Sequence, residues 1–365
     1  MTKLAGVDVG NDSVKVLLEG FREPIVVPNV VAPGYDRLVL QEEDSPIKAF
    51  DIVINSPSLR RNGGRYFVGA LAVEHEDNFE LEESDNKATS DQSLIVTLTA
   101  LAYVGVSSQA GQSVGSGFGG DDIVEYVVGT GLPVRTYPKF NKTFHDRLIG
   151  EHEVMFLSTP QLKGRKVRVR ISRVEVSIEG AAAIYHLATH DTLQVRNEEL
   201  YYGCIGVCEI GALTTDFPVV RRLAVDNHFS HGEQMGMSIY LDGIIRDVED
   251  QYGYAFPSRA KLVQRIKNNE LSIQRIGEGQ AEIRSIVDQY FTRAARRMVE
   301  LIRKRWNRFP DIQCFYVIGG GAAALKQYIL EEAGSMRLRF TEESEYLNVY
   351  GYLKIAKSRT KQAPF

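Results

Sequence analysis

The sequence predicts an α/β protein of two domains flanking a cleft, each domain built on a mixed sheet. Three observations lead there. The chain has 365 residues, and at roughly 150 residues per domain that length suggests two. Its halves rhyme: each has a short apolar strand that ends in an acid, a glycine turn and a return strand. The two copies are Val7-Asp8-Val9-Gly10 and Cys208-Glu209-Ile210-Gly211. Such spacing indicates a long-range duplication rather than a short solenoid repeat. Near the end, Gly319-Gly320-Gly321 stands between a third buried strand and a helix.

The bulk composition excludes several classes. Hydrophobic residues make up 44% and charged residues 25%, ordinary values for a globular chain with its own core. A formal net charge of −4 argues against a direct grip on duplex DNA, which needs a concentrated basic face. The densest basic run, Arg293 to Arg305, reads as the solvated face of a helix. The three cysteines, Cys204, Cys208 and Cys314, are odd in number and no signal peptide precedes the first strand, so no disulfide framework is expected. Cys204 and Cys208 lack a second Cys/His pair at zinc-finger spacing and read as small buried apolar side chains. No apolar run approaches the roughly 18–20 residues that span a bilayer. A reduced, cytoplasmic protein is expected.

Taken in order, Leu4 to Val9 and Val14 to Leu18 predict a hairpin across Gly10-Asn11-Asp12-Ser13. Ile25 to Asn29, Ile52 to Ile54 and Tyr66 to Val68 add strands to the same sheet. The acidic stretch Glu80 to Gln92 covers a surface and leads into a helix over Ser93 to Tyr103. The Gly/Ser-rich stretch Gly105 to Gly120 reads as a surface loop. It is an insertion rather than a linker, because Ile123 to Gly129 resumes a buried strand at once. Lys166 to Val176 alternates and predicts a strand with one buried face. A helix opens at Glu179 and runs to about Thr189. Tyr201 to Thr215 predicts the second strand–turn–strand. Gly232 to Trp306 reads as mostly helical, and Gln313 to Ile318 as a strand closed by the glycines. Leu347 to Tyr352 is the last signal. The expected boundaries are 1–200 for the first domain, with a smaller subdomain within about 25–105, then 201–345 for the second. Residues 346–365 return to the first.

The turns suggest chemistry. Backbone N–H groups of a glycine turn can converge on phosphate oxygens. Asn11, Asp12 and Ser13 stand where they can donate such amides, and Lys15 can reach an outer phosphate as a point charge. Asp8 would repel phosphate, so it would act through Mg²⁺ and its waters. Alone, this turn reads better as a plain hairpin with a surface lysine. The second turn, Glu209 to Asp216, changes the balance: if the hairpins face each other, a polyphosphate lies between them, with Asp8 and Glu209 on either side of a metal. The glycine run Gly319 to Gly321 lets backbone approach a flat ligand such as a purine or ribose, although many α/β folds use such a turn for packing. Glu179, between a strong strand and a helix, can orient a water for in-line attack on the outer phosphate. It is otherwise a first-turn carboxylate stabilised by the helix dipole.

This ordered set resembles the actin-like ATPase superfamily shared with DnaK-type chaperones and sugar kinases, and more narrowly the ParM/StbA plasmid-segregation actins. The narrow likeness rests on VEVSIEGAAA (Val174 to Ala183), EIGALTTD (Glu209 to Asp216), YVIGGGAA (Tyr316 to Ala323), KLVQRIKNN (Lys261 to Asn269) and NVYGY (Asn348 to Tyr352). It runs in order from Gly6 to about Ala356. The resemblance implies an actin-like fold of two duplicated ribonuclease-H-like domains around a nucleotide cleft. It implies that Asp8 and Glu209 organise Mg²⁺, that Gly10, Asn11, Asp12, Ser13 and Lys15 cradle phosphates with Gly211, Ala212, Leu213 and Thr214, and that Glu179 positions the hydrolytic water. Gly319, Gly320, Gly321 and Ala322 would line the adenosine pocket, with Lys261 and Arg265 on the base or ribose.

By the same resemblance the cofactors are ATP, with GTP as an alternative, and Mg²⁺. The partners are further copies of the chain in a head-to-tail filament and a DNA-bound adaptor of the ParR type. No direct nucleic-acid contact and no membrane contact are expected. Two departures stand out: Glu209 replaces the usual Asp, and Leu213 replaces a small or hydroxyl residue. They keep a non-catalytic nucleotide-binding scaffold in view. A small-molecule kinase of the same fold is the other alternative, though beyond Glu179 no substrate-activating base is evident.

Overall fold

The computed structural model describes residues 2–37, 45–75, 77–79, 86–108, 122–275 and 279–361. Residues 80–85 of the acidic stretch, 109–120 of the Gly/Ser-rich stretch and the last four residues of the chain lie outside these. The first half supplies β1 (Lys3–Val9), β2 (Ser13–Leu18), β3 (Ile25–Pro28), β4 (Val31–Pro33), β5 (Phe50–Asn55), β6 (Gly64–Val68), β7 (Asp122–Leu132), β8 (Gly150–Phe156) and β9 (Lys166–Ile178). Their order in one sheet is β3-β2-β1-β7-β9-β8-β5-β6-β4. Within it β1, β7 and β9 run parallel and the other neighbours antiparallel. The helices of this half are α1 (Ala70–Val73), α2 (Asp91–Ser107), α3 (Tyr137–Leu148), α4 (Ala181–Ala188) and α5 (Glu198–Tyr202).

The second half repeats the plan with fewer strands: β10 (Cys204–Ile210), β11 (Thr215–Phe217), β12 (Val219–Arg221), β13 (Ala224–Val225) and β14 (His231–Glu233). A separate hairpin, β15 (Ser272–Arg275) with β16 (Gly279–Glu282), stands apart, and β17 (Cys314–Ile318) and β18 (Leu338–Arg339) complete the second sheet. Here β10 pairs parallel with β17 and antiparallel with β11 and β12. The remaining helices are α6 (Ser238–Tyr252), α7 (Arg259–Lys267), α8 (Arg284–Arg308), α9 (Gly320–Ala333) and α10 (Leu347–Lys361). Among the described residues no helix is long and apolar enough to cross a membrane.

Patterning explains the layers. On α8, Val287, Phe291, Ala294, Ala295, Met298 and Ile302 are buried, an apolar stripe at three- and four-residue spacing. Arg293, Arg296, Arg297, Arg303 and Lys304 are exposed. The helix α2 is buried nearly all round and fills the space beneath the first sheet. The three cysteines are buried in β10 and β17. The strand β9 buries Val167, Val169 and Ile171 by simple alternation and then Val174. The phase changes because Ser172 is an extra residue opposite the Tyr126–Val127 step of β7, a bulge that resets which face points inward.

Several expected boundaries are corrected. The helix α2 continues through Gly105 to Ser107 instead of ending at Tyr103. Gly105 lets it sit against β7, since a Cβ there would stand 2.4 Å from the Tyr126 hydroxyl. Tyr201 and Tyr202 belong to α5, capped by Asn197, whose side chain accepts from Leu200 N–H; the strand begins only at Cys204. The stretch Gly232 to Trp306 is mostly helical, as α6, α7 and the first part of α8, with the end of β14 and the β15–β16 hairpin as its only strands among the described residues. Glu179 precedes α4: its N–H still bonds the Leu132 carbonyl at 3.0 Å, and Gly180, with φ +75°, caps the helix. Glu179 is therefore held by the sheet, not by the first helical turn.

The helix α10 lies across β1, β7 and α4. Glycines permit this: a Cβ on Gly129 would stand 2.0 Å from the Tyr352 carbonyl oxygen, and one on Gly351 2.0 Å from that of Ala182.

Candidate functional site

The two rhyming turns have the same local geometry. In the first, Gly10 N–H bonds the Ser13 carbonyl at 3.0 Å, and Asp8 stands opposite Lys15 in the β1–β2 register. In the second, Gly211 N–H bonds the Thr214 carbonyl at 2.9 Å, and Glu209 stands opposite Asp216. Each turn is pinned from behind. The Asn29 side chain donates to the Gly10 carbonyl at 2.8 Å. The amides of Met237 and Ser238 donate to the Gly211 and Ala212 carbonyls at 3.0 and 2.8 Å. The carbonyls of Gly10, Gly211 and Ala212 are thus all occupied.

The turns face one another. A cavity of about 260 Å³ has Asn11, Asp12 and Ser13 on one side and Ala212 and Leu213 on the other, with α7 along its wall. A smaller one of about 160 Å³ also touches Asn11 and Leu213 and is lined by Lys87, Arg135, Thr214 and Asp216. The two turn tips thus stand between a larger, mostly apolar chamber and a smaller, charged one.

Four carboxylates and two ammonium groups meet at the strand ends. Asp8, Glu179, Glu209 and Asp216 are all buried, as are Lys15 and Lys87. Lys15 Nζ lies 3.4 Å from Asp8 Oδ2. Lys87 Nζ donates to Glu179 Oε1. Asp216 Oδ1 accepts the Val134 N–H at 2.9 Å. Glu209 Oε1 accepts from Asn348 Nδ2, while Glu209 Oε2 is buried without a hydrogen-bond partner among the described residues.

The charge balance shifts these groups. Burial lifts the Glu179 carboxyl; Lys87 opposes it, Asp8 and Asp216 add to it, and it stands at about 7. Burial, then Glu179, Asp8 and Asp216, push Glu209 well above the usual glutamate range. Asp216 is raised by burial to about 6, against the Val134 amide and the Thr214 hydroxyl. For Lys15 and Lys87 burial works against the charge, but neighbouring carboxylates, led by Asp8 and Glu179 respectively, outweigh it and hold both firmly protonated. The site is short of positive charge, a condition that a bound cation relieves. Among the described residues, no three His, Cys, Asp or Glu side chains are grouped closely enough to hold an ion by themselves. Hard oxygen donors, an orphaned buried carboxylate oxygen and no complete protein cage fit Mg²⁺, which keeps waters and shares its shell with phosphates.

Most of the expected site residues converge: Asp8, Gly10 to Ser13, Lys15, Glu179, Glu209 and Gly211 to Thr214 all lie at the turns or strand ends. Others do not reach the cavities. Lys261 pairs with Glu74 at 2.8 Å. Arg265 donates to the backbone carbonyls of Glu270 and Ser272. The face of α7 that lines the larger cavity is Arg259, Ala260, Val263, Gln264 and Lys267, and Lys261 and Arg265 are not part of it. Gly319, at φ +92°, and Gly321 press on the end of β10, where a Cβ would stand 2.6 Å from the Ile210 oxygen and 2.4 Å from Ile210 Cγ2 respectively. Gly320 faces open space, and none of Gly319 to Ala322 lines either cavity. Sequence reasoning missed Lys87, Asn29, Arg135 and the site contact of Asn348. Lys87 carried one faint signal, a basic residue within an acidic polar stretch. Nothing local links it to Glu179, 92 residues away.

Comparison with known proteins agrees with this fold. Residues 6–181 match the model for the N-terminal domain of actin-like proteins, and residues 207–331 match that for the C-terminal domain of the archaeal actin homologue MreB-like family. The chain belongs to the actin-like proteins. Its fold is shared with ParM structures. "Bacillus thuringiensis ParM with ATP" superposes with a TM-score of 0.72 at 19% identity, covering 99% of this chain and 100% of that one. A 15-stranded ParM filament from Clostridium botulinum gives 0.74 at 17% identity, covering 98% and 99%. A Bacillus thuringiensis ParM hybrid containing two ParM mutants gives 0.74 at 19% identity, and there 99% of this chain spans 49% of the other. No curated protein matches the sequence.

Proposed function

We propose that this chain binds ATP with Mg²⁺ between the two turns, hydrolyses it, and polymerises head to tail in its ATP state. The observation that carries the reading is the meeting of both turns at one cavity, with the Lys87–Glu179 pair buried beside it. The amides of Asn11 to Ser13 and Ala212 to Thr214 donate to phosphate oxygens. Lys15 adds positive charge there. Asp8 and Glu209 would hold Mg²⁺ through its waters. Bound, the ion neutralises phosphate charge and the surplus charge of the four carboxylates. Glu179 holds the attacking water and, when ionised, accepts its proton; Lys87 fixes the carboxylate in place. The mostly apolar chamber against α7 takes the nucleoside.

The filament reading draws support from the shared fold of filament-forming ParM, and open head-to-tail contacts are the geometry that a helical polymer needs. By extension the filament segregates plasmid DNA through a DNA-bound adaptor of the ParR type, in the cytoplasm. We assign residues 1–200 and 201–345 to the two domains and the C-terminal stretch to the first.

Light scattering after addition of Mg-ATP, with phosphate release followed in parallel, tests the proposal. Scattering that rises and then falls as phosphate appears is expected. Glu179→Ala should still polymerise, release phosphate more slowly and give longer-lived filaments. Phosphate release without scattering at any protein concentration would sink the filament reading in favour of a kinase-like relative. Equal filament decay in both proteins would remove Glu179 from its role.

A further inference from the structure

We infer that Asn348 is the positioning residue that registers the Glu209 strand end on the Glu179 turn; the inference rests on the hydrolysis reading above. Asn348 is the second residue of α10 and is buried. Its carboxamide works in two directions. The oxygen accepts the Gly180 N–H at 3.0 Å, directly behind Glu179. The nitrogen donates to Glu209 Oε1, at the end of β10. One side chain therefore joins the turn that carries the water-holding carboxylate to the strand end that carries the metal-side carboxylate. Those two belong to different halves of the chain.

The residue type fits the task. A carboxamide donates from one atom and accepts at another without adding charge. An aspartate would add a fifth carboxylate to a site already short of cations, and a lysine could not accept from Gly180. The anchor is rigid, because α10 is fixed by backbone-close packing on both sides. A Cβ on Gly6 would stand 2.2 Å from the Val349 oxygen, and one on Gly351 2.0 Å from the Ala182 oxygen. Tyr352, one turn on, is fully buried. The join also gives a reason for glutamate at 209: the longer side chain carries its carboxylate to the amide. Gly180 leaves room for it, since a Cβ there would stand 3.1 Å from Glu209 Oε2.

The test measures affinity for a fluorescent ATP analogue, single-turnover hydrolysis of Mg-ATP and the melting temperature. It uses the full chain, wild type and variants. Absence of binding or hydrolysis in the wild type would overturn the functional reading itself, before Asn348 is judged. Given wild-type hydrolysis, Asn348→Ala should slow the chemical step by about 10- to 100-fold, the usual cost of a misplacement of about 1 Å, with affinity within about threefold. Glu209→Asp, one methylene shorter, loses the contact with Asn348 from the other side without changing the charge. The Asn348→Ala/Glu209→Asp double variant should therefore be within about twofold of the slower single. Hydrolysis within twofold of wild type in Asn348→Ala would overturn the inference. So would losses that multiply in the double variant, or affinity, rate and melting temperature falling together.

Discussion

Lys87 and Glu179 show how much a single buried pair decides. Glu179 without its partner would be a carboxyl in a site already crowded with negative charge, and burial together with Asp8 and Asp216 would keep it protonated. The ammonium of Lys87 pulls in the other direction. Since the ionised form is the one that accepts a proton, ATP hydrolysis should rise with pH as Glu179, lifted by burial, loses its proton, and slow below that. Lys87→Met should lower the rate at neutral pH by at least about tenfold and move the acid limb of the pH–rate profile upward; an unmoved limb would mean that Glu179 is not the titrating group. The same shift has a stability sign. A carboxyl whose folded value is raised contributes stability below its unfolded value and loses it as pH rises through the folded one. The nucleotide-free protein should therefore melt at lower temperature as pH climbs from the usual glutamate range towards about 7. Added Mg-ATP should offset that loss through mass action.

At the scale of elements, α10 determines whether the site assembles. It touches β1, β7 and α4 at distances that only glycine allows, so its register on the sheet is fixed to one position. Gly129→Ala places a methyl group where the Tyr352 carbonyl now sits. It should destabilise the fold by about 1–3 kcal/mol, the usual cost of overpacking, seen as a lower melting temperature. Because Asn348 rides on the same helix, hydrolysis should fall further than stability alone explains. An unchanged melting temperature would mean that α10 can shift away, and that it does not set the register. The bulge at Ser172 acts at this scale too. Its trace in the sequence is the polar pair Ser172-Arg173, after which the apolar positions move from Val167, Val169 and Ile171 to Val174 and Val176.

Across the whole molecule, the two halves touch at the outer edge of the larger cavity. Lys261 of α7 pairs with Glu74, just past α1, and Ala260 packs with Val30, Phe67 and Val73 of the first half. An exposed pair of this kind contributes about 0–1 kcal/mol. Lys261→Glu should therefore speed release of a fluorescent nucleotide by no more than about fivefold, the equivalent of about 1 kcal/mol. The charge-swapped Lys261→Glu/Glu74→Lys protein should restore slow release, and added salt should abolish the difference. Faster release in the swapped protein than in Lys261→Glu would show that the pair does not close the cavity.

The rhyme of the two hairpins, the strand–glycine–helix near the end and the solvated basic face of α8 were all legible in the sequence. They depend on periodicity and turn chemistry within a few residues, and so does the identity of Asp8, Glu179 and Glu209 as strand-end acids. Sequence patterns could not place Lys87 against Glu179, Asn29 behind Gly10 or Asn348 between Gly180 and Glu209, because each joins residues far apart in the chain and nothing local selects the partner. The helical phase of α7, which turns Gln264 and Lys267 inward and leaves Lys261 and Arg265 outside the cavity, depends on what the helix packs against rather than on its own pattern. The sequence by itself thus determined an actin-like chain with two acid-tipped turns. Only the tertiary structure decided how four buried carboxylates share two lysines and one amide, since that balance depends on distances and burial that exist only once both halves are folded together.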